Sequence, residues 1–260
     1  MMARGLWLLF ALCALSPAPA GAAEPAPTET VQSDVSTREI SIQSNFAGIE
    51  IVIFGSIDFS HALAPDEGNY DVITVIRSPA EPIVVRRKEQ VAGIWVNRAG
   101  RTFKGVPGFY AVLGTRPFKA ITTEDTLKQL GVGFSNLEFG KNAQDDATVA
   151  AYRSALTRLK QDQNLFQEHD DGVTFIGRSL FRASVDLPAN VPLGRYTTDV
   201  YLFRDGHLIS KSEGTLEVSQ AGFERAVSLL ARDHPFVYGL AAVTIAVMIG
   251  LFGWVVFRRD

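Results

Sequence analysis

Over much of the chain apolar residues fall at every second position, the period of a strand that turns one face to a core. In "REISIQS" Ile40 and Ile42 have polar neighbours, and in "GIEIVIFGS" Ile49, Ile51 and Ile53 alternate ahead of Gly55. "YDVITVIRSP" and "EPIVVRRKEQVAGIWVN" continue the series, rich in Val and Ile and broken by Pro79, Pro82 and Gly93, with Trp95 expected in the core. Short strands between regular turn signals predict an all-β sandwich. The segment before them, residues 24–37, is mostly Pro, Ala, Thr and Ser; it is expected to be a flexible leader, with the fold starting near Arg38.

The period changes in the middle. Thr122 and Thr123 precede "EDTLKQLG" as a cap signal and Gly131 sits where a helix C-terminus wants it, so a short helix is predicted there. "DDATVAAYRSALTRLKQDQNLF" brings Val149, Tyr152, Leu156, Leu159 and Phe166 near one helical face behind Asp145 or Asp146 as cap. That face is expected to pack on the sheet rather than on a partner. Strands return after Gly172. Pro188, Pro192 and Gly194 mark a bend, and Asp205-Gly206 between "YLFR" and "HLIS" is the signal of a two-residue type I′ hairpin. A bend followed by a hairpin predicts the closing edge of a Greek-key sandwich. The fold class is therefore mainly β, an immunoglobulin-like β-sandwich over residues 38–220 with a helical insertion at about 122–166. Two small β domains joined around residues 98–172 are the alternative arrangement.

Both ends lose the strand period. Residues 236–257 carry no charge and, as a helix, are about 33 Å long, enough for a hydrocarbon core of roughly 30 Å. Tyr238 and Trp254 sit near its two ends, as interfacial rings do, and Arg258 and Arg259 anchor the exit. Paired arginines favour the cytoplasmic side, so residues 258–260 are expected as a cytoplasmic tail and the domain on the opposite side. Just before the span, residues 221–235 place Phe223, Val227 and Leu230 on one face of a juxtamembrane amphipathic helix, either lying on the membrane or connecting rigidly into it. At the other end Arg4, an apolar stretch from Leu6 to Leu15 and small residues predict a secretory signal peptide over residues 1–23.

Cleavage there removes Cys13, the only cysteine, so the exported domain would hold neither thiol nor disulfide. Of the three methionines, Met1 and Met2 would leave as well and Met248 lies in the span, which leaves no soft ligand for copper. A net charge of −3 argues against nucleic-acid binding. The basic run Arg86-Arg87-Lys88 is followed at once by Glu89, and a solvated strand face is favoured over a phosphate or anionic-headgroup site. His61, His169, His207 and His234 lack metal-ligand spacing, and "EHDDG" at residues 168–172 fits a polar turn rather than a calcium loop. No G-x-S-x-G, phosphate loop or H-E-x-x-H occurs. No catalytic residue, cofactor or metal is expected, and the protein is expected not to be an enzyme. In "VPGFYAVLG" Phe109 and Tyr110 follow a turn, where aromatics either anchor an interaction or plug the bottom of a sandwich. The candidate interaction surface is Phe109, Tyr110, Arg86, Arg87 and Phe223.

"VVRRKEQVAGIWVN", "VPGFYAVLGTRPF", "LFRASVDLPANVPLGRYTTDVYLFRDG" and the terminal "GFERAV", "FVYGLAAV" and "FRR" together resemble the alphaproteobacterial transmembrane protein family, whose activity is uncharacterised. The resemblance covers nearly the whole mature chain and supplies no catalytic residues. It implies a bacterial inner-membrane protein with a signal peptide, a periplasmic β-rich domain and one C-terminal span, and it suggests a permease of the sulfite-exporter type as partner. Two functions follow as expectations. The favoured one is a non-catalytic accessory or interaction subunit of a membrane transporter or envelope complex; the other is a periplasmic small-ligand binding module or weak hydrolase.

Overall fold

The computed structural model describes residues 29–43, 45–58, 70–137 and 147–257, apart from the side chains of residues 147 and 223–225. In chain order the elements are β1 (Thr30–Val35), β2 (Glu39–Ile42), β3 (Gly48–Asp58), β4 (Tyr70–Arg77), β5 (Ala80–Val91), β6 (Ile94–Pro107) and β7 (Tyr110–Gly114). Helices α1 (Phe118–Ile121), α2 (Glu124–Leu130), a 3-10 turn (Phe134–Asn136) and α3 (Ala147–Asp162) follow. The chain then runs through β8 (Phe166–His169), β9 (Val173–Phe175), β10 (Leu180–Pro188), β11 (Gly194–Arg204) and β12 (His207–Gln220) to α4 (Phe223–Asp233) and α5 (Pro235–Phe257).

Alternation produces the inner faces. Along β10, Phe181, Ala183, Val185 and Leu187 are buried while Arg182 and Asp186 face water, and Ile51, Ile53 and Ile57 do the same on β3. Each such side chain removed from water contributes about 1.5–3 kcal/mol. Two sheets result, one ordered β1-β3-β10-β9 and one ordered β2-β12-β11-β4-β7-β8, and their inward residues form one hydrophobic core. A single sandwich with a helical insertion is thus the arrangement, and the chain is mainly β. Along one edge the sheets are stitched together: Val31 donates its N–H to Ser210 Oγ at 3.1 Å, and the hydroxyls of Ser33 and Ser212 lie 2.9 Å apart. β2 joins β12 in parallel, so the first two strands divide between the sheets.

The expected flexible leader of residues 24–37 contains β1, paired antiparallel to β3 from Thr30↔Asp58 to Val35↔Ile53. Polar Thr, Gln and Ser at the intervening positions disguise it, but Val31 and Val35 are buried and complete the core edge. Residues 24–28 and the predicted signal peptide lie outside the described residues.

β4 is buried along nearly its whole length, as a central strand covered on both faces must be. The helical insertion lies against it through Arg77 and against β7 through Tyr110. Helix α2 starts at Thr123, whose hydroxyl accepts the N–H of Thr126, and ends at Gly131 in the left-handed conformation at φ 62°. Asn164, at φ 55°, follows the end of α3, so Phe166 belongs to β8 instead of the helical face assigned to it, and Leu159 is half exposed. Val149 and Leu156 do enter the core. At the other turn signal, Asp205 and Gly206 take φ 49° and 85° and close β11 onto β12 with Arg204 opposite His207.

Strands β5 and β6 pair only with each other and form a two-stranded ribbon outside both sheets, turning at Ala92 and Gly93. Trp95, expected in the core, is 68% exposed near its tip. The alternation there is genuine, but no second layer faces it.

α5 is 23 residues long with mean hydropathy 2.4 over its most apolar window, and the rest of the chain buries none of its residues. At about 1.5 Å per residue it is roughly 34 Å long, matching a bilayer core. It is the one candidate span among the described residues.

Candidate functional site

The end of the sandwich from which the chain departs for α4 holds Arg77 and a cleft beside it. Register places Arg77 of β4 opposite Thr197 of β11, and Gly194 opposite Val218 of β12, so the end of β4, the start of β11 and the end of β12 lie together. Pro79, leading into β5, reaches this corner; a Cβ on Gly194 would come within 2.8 Å of its Cγ. Beside it opens a cleft of about 580 Å³ lined by Arg77, Ala80, Gly105, Pro107, Lys128 and Asn136, among others.

Arg77 is occupied in holding the fold. Its Nη1 donates to Asp199 at 2.6 Å, its Nη2 donates to the carbonyls of Leu130 and Gly131 at 3.1 Å each, and its guanidinium stands 5.7 Å from the centre of the Tyr110 ring. It therefore ties the C-terminus of α2 to the sheet, where a cation also meets the negative end of the helix. Asp199 accepts Lys211 on its other oxygen at 3.0 Å. The other polar residues of the lining are Ser78, Lys128, Gln129 and Asn136, of which Lys128 alone is charged.

Phe109 and Tyr110, expected as surface anchors or as a plug, are completely buried and serve the core. Phe109 packs 6.0 Å from the Tyr196 ring, and its N–H donates to Ser78 Oγ at 2.8 Å. Tyr110 packs on Phe166 and Phe134, and its hydroxyl donates to Gly131 O at 3.1 Å and accepts the N–H of Gly133 at 2.9 Å. Burial pushes the phenol pKa of Tyr110 well up, despite the nearby Arg77. They are no interaction surface, because the turn before them feeds straight into a strand that the sandwich covers on both sides.

Arg86 and Arg87 are exposed on β5 of the ribbon, with a bulge between them. Arg87 faces Arg98 across the ribbon, and Arg98 is partnered by Glu89 at 3.8 Å. Phe223 opens α4, but its side chain lies outside what is described. Tyr238 and Trp254 lie toward the two ends of α5, both exposed; Arg258 and Arg259 lie outside the described residues. The structure thus brings Arg86 and Arg87 together and sends Phe109 and Tyr110 inward.

The carboxyl of Glu168 is held above its ordinary pKa. Partial desolvation by neighbouring groups raises it, opposed by the hydrogen bond it accepts from the Phe134 N–H at 2.5 Å. The bond pins the 3-10 turn to β8, which is a positioning role. His169 Nε2 sits 3.4 Å from Gln167 Oε1. Among the described residues no group of three or more His, Cys, Asp or Glu side chains could hold a metal ion. Sequence reasoning missed Val91, Ile94 and Trp95 as one exposed tip. The signal was "VAGIW": an Ala-Gly turn between two strands whose stems are basic.

A family model described as "Putative transmembrane protein (Alph_Pro_TM)" matches residues 30–259. No curated protein matches, and no solved structure does.

Proposed function

The chain belongs to the Alph_Pro_TM transmembrane protein family, and on that premise we propose that it is a single-pass bacterial inner-membrane protein presenting a periplasmic sandwich as a non-catalytic accessory or interaction subunit. Its partner is a membrane transporter, such as a sulfite-exporter-type permease, or another envelope protein. The observation that carries this reading is the bare helix α5 following directly on a folded domain through α4. A tethered domain works by being held near something. Arg258 and Arg259, behind the span, favour a cytoplasmic C-terminus and a periplasmic domain. The occupied guanidinium of Arg77 supports presentation over chemistry, since its charge beside the cleft is spent on the fold.

The sandwich itself is of immunoglobulin type in this reading. The two strand orders support it, as does the bond from Tyr196 Oη to Pro192 O at 2.7 Å near the start of β11, the position of a tyrosine corner. Crosslinking of the tagged full-length protein in its native membrane, then mild-detergent capture and mass spectrometry, tests the role. A single transporter or envelope protein recovered reproducibly, and lost when α5 is exchanged for an unrelated span, is the expected result. Recovery of no such protein, with a small molecule instead binding the cleft beside Arg77, overturns it in favour of a ligand-binding module.

A further inference from the structure

The ribbon formed by β5 and β6 is the one pair of strands in the described domain that joins neither sheet of the sandwich. Two strands alone are marginal in water and leave two unpaired edges. A bond from Tyr152 Oη to Ala99 O at 3.0 Å holds the stem to α3, and Val85, Phe103 and Val106 root its base in the core. Beyond that the ribbon is exposed. At its tip Ile94 and Trp95 are 65% and 68% exposed, with Val91 paired to Ile94 beside them.

Its stem is strongly basic. Arg86, Arg87, Lys88, Arg98, Arg101 and Lys104 stand against Glu81 and Glu89, six cations and two carboxylates, for a net charge of +4 in a chain whose total is −3. All six cations are exposed. A Trp-bearing apolar tip on a cationic stem has the chemistry of the bilayer interface, where indole rings sit at headgroup level and basic side chains meet anionic headgroups.

Topology places the ribbon where it can get there. Its base is at the end of the sandwich where β12 finishes and the chain leaves for α4 and α5. Only residues 221 and 222 and the 11 residues of α4 separate β12 from that helix and its leading His234. That connection spans at most about 24 Å, two extended residues plus a helix. From Ala80↔Pro107 to Val91↔Ile94 the ribbon reaches about 36 Å at roughly 3.3 Å per residue. The ribbon is therefore longer than the connection between β12 and α5 can span.

We propose that the β5–β6 ribbon is a second membrane contact, seating Val91, Ile94 and Trp95 among the acyl-chain boundary and headgroups of an anionic bilayer while its arginines and lysines bind the headgroups. The domain is then held at two points and its orientation over the bilayer is fixed. This rests on α5 occupying a bilayer and not on the identity of any protein partner.

The test uses the full chain with Cys13→Ser, carrying one environment-sensitive label at Ile94→Cys or, as control, at Leu208→Cys beside the β11–β12 turn at the opposite end. Each is reconstituted into vesicles of phosphatidylcholine alone or mixed with phosphatidylglycerol at roughly 7:3, an anionic surface, with spin-labelled lipid as quencher. The label at position 94 should be quenched severalfold more in anionic than in neutral vesicles, and the label at 208 in neither. Salt at about 1 M, where the Debye length is about 3 Å, should reverse much of the quenching, as should Arg86→Glu with Arg87→Glu and Arg101→Glu. A label at 94 as unquenched as that at 208 overturns the proposal, as does quenching indifferent to lipid charge and to the three substitutions.

Discussion

Phe109 and Trp95 offer a paired test of where this domain keeps its energy. Phe109 has no exposed surface, packs against Tyr196 and continues the central sheet through its neighbour Tyr110, whereas Trp95 projects from the ribbon. Truncating a fully buried phenylalanine to alanine costs about 3–5 kcal/mol, the sum of lost transfer energy and an unfilled cavity. The upper half of that range applies, because β4 and β7 are packed on both faces and cannot collapse into the space. Against a total stability of about 5–15 kcal/mol this is a large share. With a urea slope of about 2 kcal/mol per molar, the unfolding midpoint of Phe109→Ala should fall by about 2 M. Trp95→Ala, removing a larger but solvent-facing ring, should stay within about 0.5 kcal/mol of the parent. Far-UV circular dichroism of the full-length protein in detergent, followed through a urea series, reads both. Equal midpoints for the two variants would refute the burial argument, and a loss at Trp95 alone would mean the ribbon is part of the cooperative core.

Two further outcomes follow from the same structure. Gly55→Ala puts a Cβ 2.1 Å from Phe181 Cζ and 2.7 Å from Gln32 O; since Phe181 is fully buried and the oxygen is backbone, the substitution should cost about 1–3 kcal/mol in the same urea series. An unchanged midpoint would mean that β1 and β10 can move apart around β3. Glu168 holds its proton more tightly folded than unfolded, chiefly because neighbouring groups partly desolvate its carboxyl, so its contribution favours the fold below the usual carboxylate value and is lost as pH rises through its raised value. Glu168→Gln should therefore flatten the fall in stability over that window, measured as urea midpoints from about pH 4 to pH 7; an unaltered slope would assign the dependence elsewhere.

Much of this protein was legible along the chain because it is local. Twenty-odd uncharged residues make a bilayer-length helix whatever surrounds them, Thr123 and Gly131 bracket α2, and Asp205-Gly206 takes the left-handed turn that closes β11 onto β12. Alternation in β3 and β10 announces a buried face without naming what covers it. The tertiary structure decided what depends on distant partners. Residues 30–35 become a strand because β3 offers an open edge, and their own polar composition does not say so. Phe109 and Tyr110 become core because β4, β8 and the helical insertion close over β7, so a turn-flanking aromatic pair that could have been a surface is instead a wall of the sandwich. Trp95 goes the other way, since the same two-residue period that buries Ile53 leaves a ribbon exposed when no second sheet faces it. Periodicity encodes which side chains share a face; only long-range packing determines whether that face meets a core, water or a membrane.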